Sequence, residues 1–254
     1  MNNLSVVIIT FNEEENIGKC IESVKQVADE IVVLDSFSTD LTGQIATAAG
    51  ARFIQHKFDG HIEQKNRARK LATYEWVLSL DADETLSYEL LAQLIAWKSL
   101  PEDELAPAYF MNRLNYYCGR PIKTCGMYPD RKLRLWFGDV GQWQGANPHD
   151  KFVLNDEQDE PEFMPGDILH NTWPTHQAFL SQVDKFATIS AQHLKNKSLG
   201  FLLFKLIFSP PFKFVRIYFF RLGFTDGLTG LTICYHQSRE VFLKYWRAIK
   251  LKYS

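Results

Sequence analysis

Over residues 4–80 the chain alternates short, dense apolar runs with stretches in which apolar residues recur every three or four positions. Residues 4–10 form a strand-length, β-branched run, and from Asn12 the spacing changes so that Ile17, Cys20, Ile21 and Val24 share one helix face. Asn12 and Glu15, three residues apart, have the form of a capping box that would start this helix. A second cycle follows, with a strand over 30–34 and a helix over 40–49 closed by Gly50. Residues 52–56 then read as a third strand, 63–73 as a helix and 76–80 as a fourth strand. Strands that alternate with helices predict an α/β fold: a parallel sheet with helices on both faces. Ligands bind such sheets in the crevice beyond the carboxyl ends of the strands. That rule singles out Thr10 and Asn12 after the first strand, Asp35 and Ser36 after the second, and Asp81 and Asp83 after the fourth.

From about Pro107 the alternation stops. Aromatic-rich segments at 109–117 and 132–137 predict antiparallel or mixed strands joined by Gly- and Pro-containing loops, where recognition of a second substrate is expected. After Thr175 the pattern is helical. Residues 199–224 are rich in Phe and Leu but are interrupted by Lys205, Pro210, Pro211, Lys213, Arg216 and Arg221. No run reaches the roughly 20 apolar residues that cross a bilayer. A segment lying on a membrane surface, with rings in the interface and cations at the headgroups, fits better; the alternative is that the rings pack on the rest of the chain or in a dimer contact. The expected division is 1–106, 107–180 and 181–254.

With 254 residues, 46% apolar and 14% aromatic, the chain can bury a large core. The net charge is only -2, but acidic residues crowd 102–104 and 156–162 while basic ones dominate after Lys185, so the tail is the part suited to an anionic surface. Basic and aromatic residues also suit single-stranded nucleic acid. The acidic cleft would repel that partner, and nucleic acid is not expected. Cys20, Cys118, Cys125 and Cys234 lie scattered without CxxC or zinc-ligand spacing, which argues against a disulfide scaffold and fits a reducing cytoplasm. Residues 4–9 read as a first strand and not as a signal peptide.

The stretch Leu78-Ser79-Leu80-Asp81-Ala82-Asp83-Glu84 places two carboxylates one residue apart where the chain leaves a buried strand. Mg²⁺ or Mn²⁺ held by one or two carboxylates keeps positions for substrate phosphates and neutralises charge on a departing diphosphate. The plain alternative is that the acidic run caps a helix beginning near Ser87.

In order along the chain, Thr10-Phe11-Asn12-Glu13-Glu14, Asp35-Ser36-Phe37-Ser38-Thr39-Asp40, Gln64-Lys65-Asn66 and Leu80-Asp81-Ala82-Asp83-Glu84 resemble glycosyltransferase family 2. More narrowly they resemble the branch of lipopolysaccharide core β-1,4-glucosyltransferases, as do residues 128–136 and 221–227. The resemblance implies a GT-A, Rossmann-like fold with a mixed, mainly parallel sheet and a helical membrane-associating extension. It assigns 1–106 to a nucleotide-sugar-binding half and 107–180 to an acceptor-binding half. It implies an inverting transfer of a hexose, with glucose and UDP as the expected sugar and nucleotide, to the saccharide of an envelope glycolipid. The enzyme would be peripheral on the inner face of the cytoplasmic membrane. Thr10, Asn12 and Glu13 would line the nucleotide pocket, with Asp35 on the base or ribose, Gln64 and Lys65 near the base and phosphates, and Asp81 and Ala82 against the donor. Singly, Asp35 also reads as a turn residue and Lys65 as a solvated helix position.

Inversion requires a general base for the acceptor hydroxyl. Asp150, in Gly145-Ala146-Asn147-Pro148-His149-Asp150, resembles the acid of the branch's Gly-x-x-His-Glu segment, with Asp where Glu is commoner; the alternative is a turn cap or a pair with Lys151. His170, after a short apolar run, resembles the late metal ligand of GT-A enzymes and joins Asp83 and Asp81 as a candidate, with His149 a weaker choice. A His ligand favours Mn²⁺ over Mg²⁺. Arg131, Arg134 and His149 are candidates for the acceptor, the arginines for bidentate recognition of phosphate or carboxylate or else as edge-strand surface charges. Two rival functions remain: transfer to polyprenyl phosphate, and a non-catalytic peripheral membrane protein.

Overall fold

The computed structural model describes residues 2–146, 149–156 and 158–253, the side chains of Ala146 and His149 excepted. The elements run β1 (Leu4–Thr10), α1 (Ile17–Val24), β2 (Glu30–Asp35), α2 (Thr42–Ala48), β3 (Arg52–Gln55), α3 (His61–Lys70), β4 (Trp76–Asp81), β5 (Glu84–Leu86) and α4 (Tyr88–Trp97). There follow β6 (Ala108–Tyr117), β7 (Arg120–Pro121), β8 (Asp130–Phe137), β9 (Gly141–Ala146), β10 (His149–Leu154) and β11 (Glu162–Trp173). Three helices close the chain: α5 (His176–Leu194), α6 (Leu199–Val215) and α7 (Gly227–Lys250). Contacts divide it into two compact units, Met1–Leu114 with Asp130–His170, and Asn115–Pro129 with Asn171–Ser254.

The first unit is the expected α/β sheet. Its parallel part has the order β3-β2-β1-β4, so the chain winds outward from β1 and then returns to β1's other side. Such a reversal opens a crevice at the carboxyl ends of the strands. The register sets Thr10 opposite Asp35 and Ile9 opposite Asp81, so three polar chain exits stand side by side. The sheet continues through β8, β6, β11 and β5, with antiparallel pairing of β4 to β8, β8 to β6 and β11 to β5. It is therefore mixed, as expected for a GT-A type chain. A separate hairpin, β9 with β10, carries Asp150 opposite Gly145.

Both sheet faces are covered, which explains the dense apolar runs. Leu4, Val6 and Ile8 pack with Ile17, Cys20, Ile21 and Val24 of α1 and Leu90 and Leu94 of α4. Val7, Val32 and Leu34 face the other way, toward Ala68 of α3 and the rings of Trp136, Trp143 and Phe152. Each fully buried Leu, Ile or Val contributes roughly 1.5–3 kcal/mol. Gly166, at φ +100, lets β11 approach α4: a Cβ there would sit 2.4 Å from the Leu90 nitrogen.

Two helix starts differ from expectation. The Asn12–Glu15 box does not form, because Asn12 takes φ +54 and its Oδ1 accepts the Thr39 N–H at 2.9 Å. Helix α1 begins at Ile17 without a side-chain cap. Helix α2 begins at Thr42 because the Asp40 carboxylate accepts the Thr42 N–H and hydroxyl at 3.0 and 2.6 Å, holding 40–42 in a turn.

In the second unit, Tyr117, Trp173, Phe179, Val183, Ile217 and Ile233 form one core, and Leu202, Ala191, Tyr245 and Ala248 another. Thr175 caps α5 through the Ala178 N–H, and Ser198 caps α6 through the Phe201 N–H. Pro210 and Pro211 lie inside α6, which passes into a π turn over Arg216–Phe220. Among the described residues no helix is long and apolar enough to cross a membrane.

Candidate active site

The chain turns from β4 to β5 through Ala82 and Asp83 alone, and Glu84 closes the turn by accepting the Asp81 N–H at 3.0 Å. Helix α4 is capped by Ser87, which accepts the Leu90 N–H at 3.2 Å, so the acidic run is not the cap. Glu84 is fully buried, and an unpaired carboxylate there would be prohibitively costly. Its partners are Arg134 at 2.7 Å and Arg113 at 3.5 Å.

Arg134 reaches Glu84 because β8 bulges. Tyr109 pairs with Leu135 and Phe110 with Leu133, so Arg134 is the extra residue, and a bulge re-aims the side chain it inserts. The guanidinium also meets Asp81 at 3.3 Å and the Ser79 carbonyl at 3.3 Å. Burial disfavours its charge, but Glu84 and Asp81 outweigh burial and hold its pKa above the ordinary value. Arg134, 1% exposed, thus supports the acidic turn. Arg131 stays exposed, over the rings of Phe110 and Phe163 at 5.2 and 5.8 Å. The bulge thus turns Arg134 away from the surface, where an acceptor contact or an edge-strand charge was expected.

Lys65, 4% exposed on α3, is the second buried cation and no solvated helix position. Its Nζ lies 3.1 Å from Asp81 Oδ1 and 2.9 Å from Asp150 Oδ2, over the Trp143 ring at 4.5 Å. Burial opposes ionisation of Asp81, yet Lys65 and Arg134 prevail and hold its carboxyl far below the usual carboxylate range. Asp150 lies within β10 and takes Lys65, not Lys151, as its partner. Asn66, next to Lys65, ties α3 to the hairpin: it donates to the Trp143 carbonyl and accepts the Trp143 N–H, both at 2.9 Å.

Asp83 faces elsewhere. Its Oδ2 is 3.1 Å from His170 Nε2, brought there by the pairing of His170 with Glu84 across β11 and β5. With bonds of about 2.0–2.1 Å at right angles, adjacent ligand atoms on Mg²⁺ stand about 3 Å apart, so this pair fits one edge of an octahedral cation. Among the described residues no three His, Cys, Asp or Glu side chains form a group that could hold a metal. A cation at Asp83 and His170 would take its other ligands from phosphate and water. Asp81 Oδ2 accepts from Lys65 and Arg134, whereas its buried Oδ1, 3.1 Å from Lys65 Nζ, has no hydrogen-bond partner among the described residues.

Around the ends of β1 and β2, Thr10 is 5% exposed and its buried hydroxyl has no hydrogen-bond partner among the described residues. Asn12 is exposed. Burial raises the Glu13 pKa; Asn16, donating at 2.7 Å, opposes this, and nearby Asp83 adds to it. Asp35 is fully buried and has the partners of a turn residue, accepting from the Ser38 N–H at 2.8 Å, the Ser38 hydroxyl and Gln55 at 3.0 Å. Gln64, also buried, donates to Ser36 Oγ at 3.2 Å. Ala82 is buried, and its N–H donates to the Ile9 carbonyl at 3.2 Å. The side chain of His149 lies outside the described residues.

The structure adds residues that sequence reasoning passed over. Glu84, Arg113, Asn66 and Trp143 hold the charged groups in place, and Phe11 and Phe37 stand 55% and 54% exposed just after β1 and β2. Glu84, Asn66, Phe11 and Phe37 stand inside the stretches that carry the family resemblance, though without a role of their own there; Arg113 and Trp143 had no sequence signal.

Residues 5–117 match the family model described as glycosyl transferase family 2. Residues 5–117, a little under half of the chain, thus carry a glycosyl transferase family 2 domain. Lipopolysaccharide core biosynthesis glycosyltransferase LpsC of Rhizobium meliloti is 29% identical, over 95% of this chain and 93% of that protein. An uncharacterized glycosyltransferase of Rickettsia typhi is 28% identical, over 99% of this chain and 89% of that protein. A solved structure of glucosyl-3-phosphoglycerate synthase from Mycobacterium tuberculosis, in complex with Mn²⁺, UDP and glucosyl-3-phosphoglycerate, is 25% identical at a TM-score of 0.37. That match covers 45% of this chain and 44% of the other. The family 2 match thus contains α3 with Lys65 and the whole Asp81–Glu84 turn, while Asp150 and His170 lie beyond it.

Proposed function

We propose that this glycosyltransferase moves a hexose, glucose in the first instance, from a UDP-sugar to a saccharide hydroxyl of a cell-envelope glycolipid such as a lipopolysaccharide core, with inversion at the transferred carbon. The observation that carries the proposal is the contact of Asp83 with His170 beside the line Asp81–Lys65–Asp150, whose central cation is buried, at the crevice where the strand order reverses. Likeness to LpsC over nearly its whole length supports the acceptor class.

In this reading Asp83 and His170 hold Mn²⁺ or Mg²⁺, which when bound offsets the charge gathering on the departing nucleoside diphosphate. Asp35, Gln64, Thr10, Asn12 and Glu13 bind the nucleoside side of the donor, and the Ala82 turn sets the donor's depth. Asp150 keeps one carboxylate oxygen on Lys65 and uses the other to take the proton from the acceptor hydroxyl as that oxygen attacks. Lys65 orients the base and neutralises Asp81, and it is the cation nearest an arriving phosphate. Arg131, exposed beside two rings, contacts the acceptor. The acceptor places the enzyme at the cytoplasmic face of the inner membrane.

Calorimetry with UDP, GDP and CDP, with and without Mn²⁺, tests this on the wild type and Asp83→Ala. UDP should bind in a Mn²⁺-dependent way. The variant should lose more than the roughly 100-fold that removal of an outer-shell metal partner costs. Absence of binding by all three nucleotides would overturn the donor assignment, and equal binding by the variant would overturn the metal site.

A further inference from the structure

Helix α6 is apolar on two sides. Leu202, Leu206, Pro210 and Ile217, near i, i+4, i+8 and i+15, turn inward, with Leu202 and Ile217 in the cores described above. A second stripe turns outward: Phe204 is 58% exposed, Ile207 62%, Phe208 56%, Phe212 68% and, in the π turn, Phe219 54% and Phe220 78%. A helix apolar all round belongs in a core or against lipid, and an outward stripe of this length far exceeds the scattered apolar residues normal on a protein surface.

The charges around this stripe select its occupant. From Lys185 to Thr225 the sequence has seven basic residues and no acidic one. Arg216 and Arg221 are exposed beside the outward rings, and Lys205 Nζ lies over the Phe201 ring at 5.8 Å. A second copy of the same face would bring like charges together, whereas anionic headgroups match rings that enter the interface and cations that stay at its surface. At 17 residues α6 is about 26 Å long, short of the roughly 30 Å hydrocarbon core, and its lysines and prolines break the apolar run.

We infer that the outer stripe of α6 and the π turn after it form an interfacial docking face that lies flat in the surface of an anionic bilayer. This deepens the glycolipid reading above by naming the surface that meets the acceptor's membrane, and its test requires no turnover. Basic side chains draw the face to phosphate-bearing headgroups, and Phe204, Phe208, Phe212 and Phe220 then enter the boundary between headgroups and chains.

Co-sedimentation with vesicles of phosphatidylethanolamine and 30% phosphatidylglycerol, compared with pure phosphatidylcholine, tests the face. The intact chain should bind the anionic vesicles at least tenfold more tightly, and salt should weaken that binding. Phe204→Ser/Phe208→Ser/Phe212→Ser should abolish binding with an unchanged circular dichroism spectrum, and Arg216→Glu/Arg221→Glu should remove the preference for anionic lipid. Equal binding by wild type and the triple variant, absence of wild-type binding to anionic vesicles, or a vesicle-free dimer that the triple variant converts to monomer would each overturn the inference. A failure here leaves the nucleotide titration untouched, so the two readings fail separately.

Discussion

The turn between β4 and β5 and the outer stripe of α6 invert the usual partition of residues in opposite senses. At the turn, charge is inside: Glu84 is fully buried, with Arg134 1% and Lys65 4% exposed. On α6 large rings are outside, up to 78% exposed at Phe220. The first inversion is compensated within the chain, because every buried cation has a carboxylate within 3.3 Å. The second has no such compensation, and each exposed ring forgoes the roughly 1.5–3 kcal/mol that burial would contribute. Buried, mutually satisfied charge is a demand of the folded state, whereas exposed apolar surface is a demand of something the chain meets. Substitutions should therefore be severe in the first region and silent for folding in the second.

The largest effect expected is on turnover. Asp150→Asn keeps the shape of the side chain but cannot take a proton, so the transfer rate should fall roughly 10²–10⁴-fold while UDP affinity stays near that of the wild type. Wild-type turnover in this variant would remove Asp150 as the base and favour an acceptor that is already an anion. Next comes stability. Arg134→Met leaves Glu84 buried without its 2.7 Å partner, at a cost of about 3–5 kcal/mol in chemical denaturation, and adding Glu84→Gln should restore much of it. If the single variant denatures like the wild type, the charge network does not stabilise the fold. The sharpest contrast lies within one helix. Leu202→Ala, at a fully buried position, should cost about 2–5 kcal/mol. Phe212→Ser, at a position 68% exposed, should stay within about 0.5 kcal/mol. Comparable losses at both positions would show that the outer stripe is covered in the folded chain.

The parallel half of the sheet was legible because a strand buried on both faces must read as a dense apolar run, and α1 because its one packed face repeats every three to four residues. The polar residues beyond those runs were legible for the same reason, since burial ends there. Arg134 was not. Position 134 reads as an acceptor contact or an edge-strand surface charge, and only the β-bulge, a product of pairing with β6, turns it toward Glu84. The tie that Asn66 makes also escaped notice, because its partner is a backbone 77 residues away. The Asn12–Glu15 spacing misled because local capping chemistry lost to a tertiary hydrogen bond from Thr39.

The pairing of β5 with β11 works as a ruler. Asp83 and His170 are 87 residues apart in sequence, yet the match of His170 with Glu84 sets their side-chain atoms 3.1 Å apart. In an antiparallel ladder one position of slip sends every side chain to the opposite face. A single-residue insertion or deletion between Glu162 and His170 would therefore act as an all-or-none switch on the contact of Asp83 with His170, while leaving all residues that contact the nucleotide in the proposed reading unchanged.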